Sequence, residues 1–201
     1  MNLWLKIALL VLVQIAALAA MIADKQWTLN TGTPVVLQTE PVDPRSLFMG
    51  DYARLNYQIS RLRLDGEMVP GSDTALGGDK DFKRLDTVWV AIRPDPEGAK
   101  AVSVHHQRSA IPPGLLALKG EIQSLNEYEW DRATNKSVKQ RTLNVRYGIE
   151  QYYVQEGTGR QIERPSDGEK VSIRVAIDSR GKAGILAVLL DGKERYRETL
   201  F

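Results

Sequence analysis

The 201-residue chain contains no cysteine. That excludes disulfides, a thiolate nucleophile and Cys-ligated zinc or iron–sulfur sites, and it suits a bacterial envelope protein that folds without oxidation. A dominant charge is also missing. The chain has 27 Lys and Arg against 25 Asp and Glu, a net +2, and so no strong field that would favour nucleic acid as a partner. Histidine is confined to His105 and His106. Neighbours on a strand point to opposite faces, which is poor geometry for a single metal ion. No repeat of fixed period occurs, and outside the N-terminal region no segment keeps a 3.6-residue amphipathic pattern over three turns. Nothing in the sequence calls for a cofactor.

One long hydrophobic run is present. Ile7 to Ala23 is apolar except for Gln14 and lies between Lys6 and the pair Asp24, Lys25. These seventeen residues are at the lower edge of what spans a bilayer. Trp4 and Trp27 bracket the run, and a helix between them would be about 34 Å long, placing both indoles at interfaces. Nine Leu, Ile or Val side chains contribute roughly 3 to 5 kcal/mol of insertion free energy, enough to offset Gln14. Two other readings compete with a retained signal anchor. Ala17-Leu18-Ala19 has the small-x-small pattern of a cleavage site, as in a removed signal peptide. A buried core helix is disfavoured because the run is apolar all round. Lys6 and the start amine orient the N-terminus to the cytoplasm. The expectation is therefore a membrane anchor over residues 1–27 and one domain over 28–201, outside the cytoplasmic (inner) membrane of a bacterium, in the periplasm where one exists.

The exported part reads as mainly β. Val35, Val36 and Leu37 mark a first strand ending at Pro41 and Pro44, after which Asp43-Pro44 can start one or two helical turns over 44–49. Ala53, Leu55, Tyr57 and Ile59 alternate with polar residues, the period of a strand with one buried face. A glycine-rich surface loop is expected over 65–81, and a hairpin from Val88, Val90 and Ile92 through Glu97-Gly98 to Ala101–Val104. Another strand is expected at Leu115–Leu118 and Ile122, a polar turn region over Asn126–Ser137, and renewed alternation at Leu143, Val145, Tyr147 and Ile149. Val171 to Ile177 alternates up to a turn at Asp178–Gly181. The continuous apolar run Ile185–Leu190 reads as a central strand buried on both faces. Short connections fit an antiparallel sandwich or a partly open barrel.

Pro41-Val42-Asp43-Pro44-Arg45 leads into Gly50-Asp51-Tyr52-x-x-Leu55-x-Tyr57. This resembles the bacterial family named for its GDYXXLXY motif, membrane-anchored proteins of unassigned function. Tyr147-Gly148-Ile149-Glu150, Tyr152-Tyr153-Val154 and Glu156-Gly157-Thr158-Gly159-Arg160 are similar to later family blocks. The resemblance implies one anchor and one extracytoplasmic domain working beside another membrane protein. It carries over no catalytic residue.

Physically, Gly50 can turn the chain, Asp51 can accept from nearby amides, and Leu55 and Tyr57 face the core. Tyr52 has the opposite parity and should share the polar face with Arg54, Asn56 and Gln58, a partner-binding patch. Against this stands an ordinary exposed strand face. Ser46, Gly50-Asp51 and the later Lys83-Arg84 also loosely resemble membrane signal peptidases, with Lys83 as base for the Ser46 hydroxyl. Here the departure is large, since the Ser-Met-x-Pro segment is missing and Ser46 lies too close to Gly50 for a nucleophile loop. Glu156–Arg160 lacks the strand–loop–helix setting and the Lys-Ser/Thr ending of a phosphate loop, so a structural turn is expected there.

Overall fold

The computed structural model describes residues 2–40, 52–64, 77–78, 81–131, 136–153 and 169–197. It is mainly β, with one N-terminal helix and a sheet curled into a half-barrel alongside the others.

Helix α1 spans Leu3–Thr31. No glycine or proline interrupts it, and leucine and alanine dominate it. It ends at Gly32, whose amide donates to the Thr28 carbonyl at 3.0 Å. A Cβ there would lie 2.6 Å from that carbonyl oxygen and 2.8 Å from the Ala176 Cβ. Only glycine lets the helix end rest this closely on the domain. Pro34 then disfavours helix at Thr33, and the chain runs straight into β1, Thr33–Glu40. Every side chain from Leu3 to Ala23 is exposed, so the apolar run is no core helix. It is long and apolar enough to cross a membrane.

The motif region is not one strand. It breaks into β2 (Tyr52–Arg54), β3 (Asn56–Tyr57), a 3-10 turn at Gln58–Ser60 and β4 (Arg61–Arg63). The alternating burial expected from the sequence persists across the break, with Ala53, Leu55, Tyr57 and Ile59 buried. The segment changes partners at each step, which alternation alone does not reveal.

Beyond it come β5 (Gly77–Gly78), β6 (Thr87–Arg93), β7 (Lys100–His105), β8 (Leu116–Asp131), β9 (Lys136–Arg146) and β10 (Gln151–Tyr153). The last three are β11 (Val171–Ile177), β12 (Ala183–Leu190) and β13 (Lys193–Arg197). They form a five-stranded sheet β13-β12-β11-β1-β3, a six-stranded sheet β4-β9-β8-β6-β7-β5 and the pair β10-β2. Among the described residues all pairings are antiparallel except β5 with β7. Leu37, Tyr57, Ile92, Leu118, Ile122, Leu143 and Ile173 are fully buried in one shared core, each aliphatic contributing about 1.5–3 kcal/mol. Backbone bonds from Ala99 to Val36 (2.7 Å) and from Lys119 to Gly181 (2.9 Å) join the two larger sheets.

Two differences from the sequence expectation have physical causes. Asn126–Ser137 is largely strand, because β8 and β9 continue as a ribbon in register from Tyr128↔Lys139 to Asp131↔Lys136. The exposure of Asn126, Glu127 and Tyr128 removes the apolar period that would have marked it. Strand β11 is buried on both faces, and its second face meets the end of α1 at Ala176. It also takes the middle of the sheet, with β12 interior beside it and buried as expected. Most of the loop read at 65–81, the turns at 44–49 and Glu156–Arg160 lie outside the described residues.

Candidate functional site

Two tyrosines lock the motif to a later block of the chain. Tyr57 donates its hydroxyl to the Ile149 carbonyl at 2.7 Å, and Tyr147 donates to the Ile59 carbonyl at 2.6 Å, both in buried surroundings. Each segment thus lends a phenol to the backbone of the other. Burial pushes both phenols well above their ordinary range, helped by the nearby negative charge of Glu150, so both remain neutral donors. Glu150 fixes the tight turn that follows Tyr147. Its carboxylate accepts from the amides of Tyr147 (2.5 Å) and Gly148 (2.9 Å), and its carbonyl accepts from Leu55 at 2.9 Å. Gly148 has φ +80°, a conformation that favours glycine. Next to this turn, β10 pairs with β2 through Gln151↔Arg54 to Tyr153↔Tyr52.

This buried framework presents the opposite face of the motif to solvent. Arg54, Asn56 and Gln58 are exposed together, as their parity requires. Tyr52 begins β2, but its side chain lies outside the described residues, as do Gly50, Asp51 and Ser46. Asn56 donates to Glu40 at 3.3 Å. Glu40 and Gln58 border a cleft of about 1070 Å³ that also takes in Lys100, Lys170, Arg174 and Asp191. Mixed charge along its walls suits a polar, polypeptide-like surface better than a polyanion.

A second constellation joins the helix to the domain. The Asp178 carboxylate is buried and accepts from Thr28 Oγ1 (2.9 Å), from the backbone amides of Arg180 (2.8 Å) and Lys182 (3.0 Å), and from the Arg180 guanidinium (2.7 and 3.0 Å). Arg180 also pairs with Asp24 on the helix, and Lys182 Nζ reaches Asp24 at 2.7 Å. Leu29 covers Gly184, where a Cβ would stand 2.6 Å from the leucine Cδ2. Desolvation pushes the Asp178 carboxyl up, but the hydrogen bonds from Arg180, Thr28 and the amides outweigh it and hold the pKa below the usual value. Lys182 and Arg180 lower Asp24 likewise. In the sequence Asp178–Gly181 marks only a turn. The signal for more was the i, i+4 pair Asp24 and Thr28 on one helix face just past the apolar run.

The other candidates are less developed. Lys83 is exposed, without the apolar enclosure that a lysine base requires, and its amide donates to Asp86 at 2.7 Å. His105 is bonded to Ser103 at 2.9 Å, and the His106 ring lies 4.6 Å from that of Phe82. Among the described residues, no group of His, Asp and Glu is arranged to hold a metal ion.

Tyr57→Phe or Tyr147→Phe leaves a buried carbonyl without its donor, so each should lower stability by about 1–3 kcal/mol in urea unfolding of the full chain in detergent. The clasp should weaken in acid. Both carboxyls are depressed in the folded state, so the unfolded chain binds more protons on the acid side. The stabilisation is complete above about pH 5 and declines as the pH falls through the ordinary carboxylate value and on through the lower folded ones. A thermal unfolding series should show that acid limb, and Asp178→Asn should be less stable at neutral pH with a shallower limb.

No curated protein and no solved structure matches the chain. The motif strand and the tyrosine block that grips it lie within a match to the GDYXXLXY protein description that covers residues 14–188. On that coverage, the chain belongs to the GDYXXLXY family.

Proposed function

We propose that this protein is a single-pass, membrane-anchored binding module. In this reading residues 1–27 form the anchor and 28–201 the domain outside the bacterial cytoplasmic membrane, with the N-terminus inside. The observation that carries it is the clasp of Asp24 and Thr28 by Asp178, Arg180 and Lys182, directly beyond the apolar run. A domain held this way has no flexible linker and keeps one attitude to the bilayer. Such rigidity suits a protein that presents a surface to a neighbour in the membrane, since it removes the entropy of orienting a tethered domain. The surface proposed for binding carries Arg54, Asn56 and Gln58, which are exposed beside the large cleft, and Tyr52, which is assigned to it by strand parity.

No observation favours the Ser46–Lys83 peptidase reading over this one. Binding through the motif face predicts that Tyr52→Ala with Arg54→Ala reduces co-purification of a membrane protein partner at least about tenfold, a loss typical of one hot-spot residue or more, while the melting temperature stays within a few degrees. Undiminished co-purification by a folded double variant contradicts the role of that face.

A further inference from the structure

We infer that the face of α1 carrying Gln14 receives a membrane-spanning helix of a different protein, seated directly beneath the β domain. The inference rests on the anchored reading above and adds where the partner lies.

Gln14 is the one polar side chain between Ile7 and Ala23. It is eleven residues past Leu3, about 16 Å along the helix and near the middle of its apolar length. Its amide carries two donors and an acceptor, and the side chain is exposed. At that depth there is no water to satisfy it, and an amide on another helix or a backbone group is the available partner.

The azimuth of Gln14 decides what kind of partner fits. Fourteen residues separate Gln14 from Thr28, close to four full turns, so the two lie within about 40° of one direction. Asp24 falls about 80° to one side of Gln14 and Leu29 about 60° to the other. Thr28, Asp24 and Leu29 are the residues that meet the domain at Asp178, Arg180 and Gly184. The domain therefore overhangs the membrane on the side to which Gln14 points.

This geometry excludes a parallel second copy of the chain as the occupant. Packed helices approach to about 8–10 Å. Each copy would bring its own domain, with a radius of gyration of about 16 Å, over the helix of the other, and both would need the same space. A helix from a protein with little bulk outside the membrane on that side fits beneath the overhang. Such a partner offers a hydrogen-bonding side chain at the depth of Gln14.

The chain has no cysteine, so single-cysteine variants of the full-length protein can carry a photoreactive crosslinker in intact membranes. Leu10→Cys and Ala17→Cys lie within about 60° of Gln14, whereas Leu12→Cys and Ala16→Cys lie about 160° away. The expected result is capture of one polytopic membrane protein from the first pair and not the second, and of the same protein from Ser179→Cys on the overhanging turn. Adding Gln14→Leu should cut the yield roughly three- to tenfold, and Gln14→Asn should largely preserve it. Adducts of two copies of this chain, equal yields around the helix, or indifference to Gln14→Leu would each overturn the inference. Release of the chain by alkaline carbonate would instead overturn the anchored reading beneath it.

Discussion

A buried carboxylate, Asp178, sets the relation between the two parts of this molecule. An ionised side chain excluded from water is tolerable only when its lone pairs are filled. Here they are filled from both sides of a junction, by Thr28 on the helix and by the amides and guanidinium of its own turn. Arg180 is then held where it can also reach Asp24. Removing one partner strands a buried charge, so helix and domain are coupled more firmly than a surface ion pair would achieve. The glycines at 32 and 184 serve the same junction by letting the backbone of one part approach the side chains of the other.

The family motif has a different task. Its apolar members and Tyr57 belong to the core, and the Tyr57–Ile149 and Tyr147–Ile59 bonds tie it to the block around Glu150. The spacing of Leu55 and Tyr57 is thus explained by packing and by backbone satisfaction. Arg54, Asn56 and Gln58, interleaved with the motif's buried positions, are exposed on a face beside the cleft. Rigid display of a few polar side chains supports recognition and requires no reacting group.

Much of the fold was legible because its strands have one buried face. Val88, Val90 and Ile92, or Leu143, Val145, Tyr147 and Ile149, announce themselves by parity. Where that condition fails, so does the reading. Asn126, Glu127 and Tyr128 at the start of the outer β8–β9 ribbon are all exposed and carry no apolar period, and β11 is buried on both sides, with α1 meeting its second face at Ala176. The partner changes along 52–63 leave no mark in parity, since burial alternates whichever strand is opposite. The exposed trio Arg54, Asn56 and Gln58 was legible by the same rule. The clasp was not, because it pairs residues more than 140 positions apart and no local pattern links Asp24 to Arg180.

The central claim is that residues 24–31 are held by the domain as part of one rigid body with the apolar helix. Amide hydrogen exchange of the full chain in lipid vesicles tests it most directly. Protection at 24–31 should match that of β11 and β12 and fall with theirs when Asp178 is replaced by Asn. Exchange at 24–31 orders of magnitude faster than in those strands, as for a frayed helix end beside an independent domain, would contradict it.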